Sequence, residues 1–276
     1  MRPLFSYVPW VFAIILWPLN ISAQIVLSNI GAKNEGLGSP NSISFDGSSL
    51  WRNPAGLASV GHLVISTGIR RTHSFQALAR SVMIATKTKI GSFGAGMTAF
   101  GDDIYNEQAA SFGFANTLGL ASIGIRADVI QLRIDGNKSR RTAGISIGSI
   151  AKISPRFSIG LYAHNINLPT WSRENPLPVI LCAGVQFKPS ENLMVIAEAE
   201  KNTDFDPTIK GGLEYSFQKK FFARTGFNLF PNAAFGGVGL RTWRLGFDYA
   251  VRFGYLPGYS HQLSVSFRTG KQTEKR

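Results

Sequence analysis

The chain of 276 residues has 16% charged residues, 12% aromatic residues, 29 glycines and a formal net charge of +13. Soluble domains have a larger charged fraction and fewer glycines, so this composition is not typical of a soluble globular protein. The mean hydropathy of +0.04 is too low for a bundle of membrane helices and too high for a disordered chain. No shift in composition divides the sequence into separate domains.

Residues 1–23 have the organisation of a secretory signal peptide. Arg2 is followed by an apolar run over residues 11–17, and the small residue Ala23 precedes Gln24. The apolar run is shorter than the ~20 residues that a membrane-spanning helix needs. We therefore expect a signal peptide that is cleaved after export.

Export changes the interpretation of the positive charge. A net charge of +13 alone would fit nucleic-acid binding, but the Lys and Arg residues are scattered and form no long run. A basic rim that faces the phosphates of lipopolysaccharide is the simpler explanation for an exported protein. The charge therefore predicts outer-membrane lipid and lipopolysaccharide as partners, and no nucleic acid.

The sequence contains few residues that could carry catalytic or metal chemistry. Cys182 is the single cysteine, which excludes an intramolecular disulfide, and the four scattered histidines form no metal-binding pattern. No His-x-Ser spacing indicates a hydrolase, and His164 is interpreted as an interior or strand-end residue. The glycines of residues 91–96 and 144–148 lie inside strand patterns, so they predict no phosphate-binding loop. We predict no catalytic residue, no cofactor and no metal, and hence no enzyme.

Residues 24–59 have no periodic pattern and are rich in Gly, Pro, Asn and Ser. Within them the stretch Asn53-Pro54-Ala55-Gly56 predicts a tight turn. Pro54 fixes its own φ and restricts Asn53, and Gly56 offers free dihedral angles. An ordinary surface turn in a flexible N-terminal arm fits the same residues.

From His62 onward, apolar and polar residues alternate with a period of two, which is typical of β-strands. A soluble β-sandwich and a membrane barrel both produce this alternation. Glycines on the polar faces, aromatic residues near strand ends and charges of both signs on the polar faces favour the barrel. The polar-face charges that we predict to line the lumen and to pair there are Glu198, Glu200, Lys210, Glu214, Arg224, Arg244, Asp248 and Arg252.

The alternating segments number about fourteen, and an even number is expected of single-chain bacterial barrels. Counts of twelve and sixteen stay open, because the phase of the second segment shifts near Arg80 and a β-bulge there would explain it. The segments are 62–70, 74–86, 89–99, 108–116, 119–134, 141–153, 156–165, 178–188, 192–200, 208–217, 220–229, 233–241, 243–252 and 261–268. We predict an all-β transmembrane antiparallel barrel preceded by the aperiodic N-terminal segment 24–59.

The sequence resembles the FadL-type outer-membrane barrels and the related PorV/PorQ-like proteins of type IX secretion. The resemblance rests on the Asn-Pro-Ala-Gly stretch, on its position after a signal peptide, on Gly212-Leu213-Glu214-Tyr215 and on residues 258–264. It covers the N-terminal segment and the last third of the chain. The resemblance implies that residues 24–59 plug the barrel from the periplasmic end and that the protein lies in the Gram-negative outer membrane.

The resemblance implies two functions. The first is an accessory or docking barrel of PorV/PorQ type, which would hold secretion-system proteins or cargo at the outer membrane. The second is a FadL-type channel for hydrophobic small molecules. The plug motif fits both, and we favour docking because the loops are short and the predicted lumen is charged. The domain boundaries implied are 1–23 for the signal peptide, 24–59 for the plug, 60–268 for the barrel and 269–276 for a polar tail.

Overall fold

The computed structural model describes residues 30–73, 78–172, 175–254 and 258–269. The predicted signal peptide, the first residues of the predicted plug and all but Thr269 of the predicted tail lie outside the described residues. Among the described residues, no helix is long and apolar enough to cross a membrane.

The described residues form one α-helical turn, α1 at Ala32–Glu35, two 3₁₀ helices at Gly47–Trp51 and Pro54–Ser59, and sixteen strands. The strands are β1 Leu63–Thr72, β2 Leu78–Lys87, β3 Ser92–Gly101, β4 Tyr105–Leu118, β5 Ala121–Ile134, β6 Arg140–Lys152, β7 Phe157–His164, β8 Thr170–Ser172, β9 Asn175–Pro176, β10 Ile180–Phe187, β11 Leu193–Asn202, β12 Thr208–Phe217, β13 Phe221–Asn228, β14 Ala233–Arg241, β15 Leu245–Gly254 and β16 Ser260–Arg268.

Fourteen of the strands close into one antiparallel barrel, in which β1 pairs with both β2 and β16. The predicted strand number of fourteen is confirmed, and the counts of twelve and sixteen are wrong. Each predicted segment overlaps one barrel strand. The bulge expected near Arg80 is absent from residues 78–87, which pair without a register shift with β1 and β3. Two short strands were missed: β8 and β9 form a separate hairpin inside the β7–β10 connection.

Residues alternate strictly between the two faces of the wall, because successive side chains of a strand point to opposite sides. In β10, Ile180 is buried and Leu181 is exposed, and the alternation continues to the end of the strand. The alternation places Leu213, Phe247 and Tyr215 on the outward face, where they are exposed by 38%, 38% and 48%. A belt of exposed apolar side chains around a closed barrel is the surface that a lipid bilayer requires.

Residues 30–60, here called the inner segment, contact all fourteen strands of the barrel. Helix α1 packs on β14, β15 and β16, the first 3₁₀ helix on β1 to β4, and the second on β3 to β6. Between these helices, Leu37 and Gly38 lie against β12 and β13, Asn41 bonds to β11, and Ser42 lies against β7 and β10. Because the contacts are with the buried face of each strand, the inner segment lies within the ring of strands.

The Asn-Pro-Ala-Gly stretch forms the start of the second 3₁₀ helix and not an isolated turn. The Asn53 side chain accepts a hydrogen bond from the amide of Ala55 at 3.0 Å and caps the helix, and Pro54 occupies its first position. Gly56 does not have a left-handed φ, so the expected need for free dihedral angles is wrong. It is needed for space, since a Cβ there would lie 1.9 Å from the carbonyl oxygen of Ser44.

Two names are used below for the ends of the barrel. The end that holds residue 62 and Thr269 is called the terminal end, and the end that holds the β1–β2 connection is called the distal end. The amide of Thr269 donates to the carbonyl oxygen of Leu63, so the start of the first strand and the end of the last strand meet at the terminal end.

The outward position of Leu213 at the middle of β12 generates a test of the faces. The substitution Leu213→Arg should lower the free energy of unfolding from lipid vesicles by about 2–4 kcal/mol, because it brings a charge to the bilayer midplane. Phe217→Arg, on the same face but at the end of β12, should cost about 0–1 kcal/mol. Equal losses for both substitutions, measured by urea titration, would contradict the proposed depth.

Candidate functional site in the barrel interior

A charged cluster on β11 and β12 holds the inner segment. The ammonium nitrogen of Lys210 lies 2.5 Å from Glu200 Oε2 and 3.6 Å from Glu198 Oε1. Glu198 Oε2 accepts hydrogen bonds from the amides of Asn41 and Ser42 at 2.7 and 2.5 Å and from the Ser42 hydroxyl at 2.6 Å. Each carboxylate is thus paired and hydrogen-bonded, as a buried charge requires. The cluster joins the barrel wall to the middle of the inner segment.

A second charged cluster lies on β12 to β15. Arg224 Nε lies 2.6 Å from Glu214 Oε2, and its Nη1 lies 2.8 Å from Asp248 Oδ1. Arg241, which the sequence analysis did not select, completes the cluster at 2.8 Å from Asp248 Oδ2. Arg241 is the last residue of β14 and lies on the same face of the wall as these charges, so its position in the alternating pattern could have identified it.

The two remaining residues predicted to line the lumen belong to neither of these two clusters. Arg252 is partly buried, with its guanidinium carbon 5.9 Å from the ring centre of Phe235. Arg244 is exposed in the β14–β15 turn and lies 4.0 Å over the ring of Trp243. The alternating pattern of the strand was extended to residue 244, but β15 begins only at Leu245.

A third cluster, centred on Arg126 of β5, was missed from the sequence. Arg126 Nε lies 2.8 Å from Asp128 Oδ2, and its Nη1 donates to the carbonyl oxygen of Leu50 at 2.9 Å. Its Nη2 lies 2.9 Å from His164 Nδ1. The inward positions of β5 follow Gly124 with a period of two, and this alternation could have identified Arg126 and Asp128 as inward charges. The cluster ties the first 3₁₀ helix of the inner segment to the wall.

His164 also lies 2.8 Å from the hydroxyl of Ser146, a contact that no spacing in the sequence revealed. Ser146 is fully buried, and the same ring nitrogen of His164 faces the guanidinium of Arg126. Among the described residues, no carboxylate bonds to the ring of His164. The pair therefore lacks the orienting acid and the access that a nucleophilic serine needs, and it acts as a cross-link between β6 and β7.

The Cys182 sulfur and the carboxylates of Glu198 and Glu200 lie within 4.8 Å of one another, a grouping that the sequence analysis did not anticipate. Lys210 occupies the position of a counter-ion for both carboxylates. A protein cation thus already pairs with both carboxylates of the donor set, and we assign no metal to it.

The inner segment has its own polar framework. Arg52 is fully buried and donates to the carbonyl oxygen of Pro40 at 2.7 Å and to Asn41 Oδ1 at 3.2 Å. Lys33 lies 3.3 Å from Asp46. Burial alone would raise the pKa of Asp46, but Lys33 and the donors of Ser48 outweigh it and hold that pKa well below its usual range. Since the folded pKa is depressed, the stabilisation is present above the unfolded pKa of about 3.9 and is lost only in stronger acid.

Apolar side chains, in contrast, line much of the distal part of the interior on β2 to β5, around the buried carboxylate of Glu107, which accepts a hydrogen bond from the Tyr105 hydroxyl. Ala79, Phe100 and Tyr105 pack against Ile30 of the inner segment. Next to them, the described residues of a second cluster are Ala109, Ile130, Leu177 and Trp171.

The last two residues of that cluster belong to the β7–β10 connection. Their contacts with β4 and β5 mean that this connection folds over the distal end of the barrel. The lumen is therefore not charged throughout, as the sequence analysis assumed. We call the apolar residues Phe100, Tyr105, Ala109, Ile130, Trp171 and Leu177 the distal apolar patch.

Two polar side chains, Gln262 of β16 and Arg70 of β1, lie opposite each other in the barrel wall. Gln262 is 1% exposed, and neither its side-chain nitrogen nor its oxygen has a hydrogen-bond partner in the described part of the chain. Arg70 is also opposite Ala79 of β2, which in turn is opposite Phe100 of the patch.

The fold is that of outer-membrane channels. The chain is similar to a deltaS2 mutant of the TodX monoaromatic hydrocarbon channel, with a TM-score of 0.67, 12% identity, and coverage of 88% of this chain and 100% of that one. A Pseudomonas aeruginosa FadL homologue gives a TM-score of 0.61 at 11% identity, covering 88% of this chain and 99% of the other. No family model matches the sequence, and no curated protein matches it. The predicted FadL-type barrel is thus supported by structural likeness, and the PorV/PorQ link is not shown.

The three hydrogen bonds to Glu198 generate a test of the anchoring. Glu198→Gln should raise hydrogen exchange at the amides of Asn41 and Ser42 about tenfold, because bonds to a charged acceptor are stronger than bonds to a neutral one. Glu214→Gln is the matched control: it breaks an ion pair to Arg224 on the wall and removes no hydrogen bond to Asn41 or Ser42. If both variants raised hydrogen exchange at these two amides equally, the anchoring of the inner segment would not be specific to Glu198.

Proposed function

We propose that the protein is an outer-membrane channel for hydrophobic small molecules and that its inner segment is the plug of that channel. The observation that carries the proposal is the distal apolar patch, which lies inside the barrel and under the β7–β10 connection. Binding sites for apolar solutes are concave, mostly apolar and supplied with a few polar groups. The buried carboxylate of Glu107, to which the Tyr105 hydroxyl donates, provides a polar group within the patch. The likeness to a monoaromatic hydrocarbon channel supports the same class of solute.

The proposed orientation places the distal end outside the cell and the terminal end in the periplasm. A solute would enter under the β7–β10 connection and meet the patch first. Below the patch, Leu50 and Leu57 of the inner segment pack against Val64 and Met83 of the wall. A straight route through the barrel is therefore filled by protein, and passage requires the inner segment to move or the solute to leave through the wall.

The upper edge of β6 is the proposed exit through the wall. Strand β6 pairs with β7 only over residues 147–152, although it begins at Arg140. Above this ladder, the side chain of Asn167 replaces a strand: its Oδ1 accepts from the amide of Ile145, and its Nδ2 donates to the carbonyl oxygen of Ala143, both at 2.8 Å. Beside the backbone bond from the Ile166 amide to the Ile145 carbonyl oxygen, side-chain bonds close the wall here, and a side chain is easier to displace than a strand.

The docking role in type IX secretion rested on the PorV/PorQ resemblance, on the short loops and on the assumption of a charged interior. The distal apolar patch removes the last of these reasons. The charged residues instead lie where the inner segment bonds to the wall, as at Glu198. We therefore place the channel function first, with secretion proteins or cargo retained only as the alternative partners.

Solute binding at the patch can be tested with 1-N-phenylnaphthylamine, which becomes fluorescent in apolar surroundings. Ile130→Asn should weaken its binding to the detergent-solubilised barrel about tenfold, because an apolar contact is replaced by an amide. The matched control is Ile196→Asn, since Ile196 is also inward and buried but packs on Leu37 and Ile43. Equal binding by the wild type and the Ile130→Asn variant would contradict the patch as the solute site.

The plug can be tested by its removal. Deletion of residues 24–48 should raise single-channel conductance in planar bilayers, because the chain that fills the barrel is shortened. Pro54→Gly should give intermittent openings, since Pro54 starts the second 3₁₀ helix. Deletion of residues 270–276 is the control and should leave conductance unchanged. If removing 24–48 left conductance at the wild-type value, the segment would not be an occluding plug.

A further inference from the structure

A group of cationic and aromatic side chains lies on the outer face of the barrel at the distal end of β15, β16, β1 and β2. Arg71 is directly opposite His261 on β16, and Arg80 occupies the diagonal position on β2, opposite Ile69. Tyr249 and Tyr259 flank them, with the Tyr249 hydroxyl 2.6 Å from His261 Nδ1. All five side chains are exposed. We call this group the outer cationic cluster.

In the part of the chain that the structure describes, the outer cationic cluster has no acidic counterpart. No described carboxylate lies within the 4.0 Å of an ion pair from Arg71 or Arg80. The neighbouring stretches 74–77 and 255–257 contain no Asp or Glu in the sequence. Asp102, in the β3–β4 connection, accepts hydrogen bonds from the amides of its own turn.

Diagonal neighbours on a sheet are about 7–8 Å apart, and like charges at such positions repel each other. The outer face of these strands therefore holds positive charge that an external anion would neutralise.

The height of the outer cationic cluster on the barrel wall indicates which kind of anion would neutralise it. The next outward residue along each strand towards the middle of the barrel is apolar and exposed: Ile69 by 42%, Val82 by 51% and Leu263 by 46%. Along its own strand, each of Arg71, Arg80 and His261 thus lies one step beyond an exposed apolar residue, and we place the lipid head groups at this level. Tyrosine is enriched at the same height in membrane proteins because its ring is apolar and its hydroxyl is polar. A molecule with acyl chains along the belt and phosphate at its head matches both surfaces.

We propose that the outer cationic cluster binds the phosphate of an anionic lipid in the leaflet at the distal end. Arg71 and Arg80 donate charge-assisted hydrogen bonds to the phosphate oxygens, and Tyr249 and Tyr259 contact the adjoining head group. The site is separate from the solute route, since it lies on the opposite face of the wall. It gives the barrel a fixed lipid contact beside the closure of β1 with β16.

The test uses the full chain in detergent and a fluorescent lipid A that carries two phosphates. The triple substitution Arg71→Gln, Arg80→Gln and His261→Gln should weaken lipid A binding about tenfold or more, since charge-assisted bonds to phosphate are lost. The control is Arg133→Gln with Arg141→Gln, on the outer face of β5 and β6 at the same end. The control should change binding less than about twofold. Heat-modifiable migration on a gel checks that each barrel is folded, and the single substitution Arg71→Gln replaces the triple one if the latter does not fold.

Competition separates a lipid site from a general anion site. Lipid A with a single phosphate should compete less well than the form with two, and diacylglycerol, which has no phosphate, should not compete. Inorganic phosphate that competed as well as lipid A would overturn the proposal, because the acyl chains would then contribute nothing. Equal losses of lipid A binding in the triple variant and in the control would also overturn it, because the attraction would then come from the overall positive charge and not from this cluster.

Discussion

The backbone of the inner segment touches the barrel wall at points where the wall has no side chain. A Cβ on Gly124 would lie 2.3 Å from the amide nitrogen of Ala55, and one on Gly160 would lie 2.2 Å from the carbonyl oxygen of Ser42. Gly212 and Gly226 leave similar space for Leu37 and Gly38. Real Cβ atoms do not approach other atoms so closely, so these glycines set how deep and in what register the segment lies. Glycine in a strand weakens it, and this cost is offset by the contacts that the missing side chain allows.

The polar contacts follow from this close approach. Once the backbone lies against the wall, its amides and carbonyls are buried and need partners. Glu198 supplies an acceptor for two amides near residue 41, and Arg126 supplies a donor for the carbonyl of Leu50. Asn53 supplies donors to the wall, with its Nδ2 at 3.0 Å from the carbonyl oxygen of Leu161. The interior is thus divided into a part where the segment bonds to the wall and a distal part where apolar side chains of β2 to β5 predominate.

The period of two in the sequence was sufficient to predict the barrel, its fourteen strands and the outward set that includes Leu213. It also predicted the inward position of Glu198, Lys210 and Arg224, because the face on which a strand residue lies depends only on whether its position is odd or even. The alternation carries no information on which residues bond to one another. The bonds between Glu198 and the inner segment join residues that are 156 and 157 positions apart in the chain, and nothing local in the sequence specifies them. The apolar patch was missed for a related reason, since it is formed by the ends of several strands together with a folded connection.

The central claim is that inward glycines seat the inner segment, and Gly124 tests it most directly. Gly124→Ala should overpack the contact with Pro54 and Ala55 and raise hydrogen exchange at the amides of Ala55 and Gly56 about tenfold or more. Gly236→Ala is the matched strand glycine, where a Cβ would meet only the Val251 side chain at 3.6 Å. The account predicts a large change for the first variant and almost none for the second, in barrels of equal heat-modifiable migration. Unchanged exchange in the Gly124→Ala variant would contradict it.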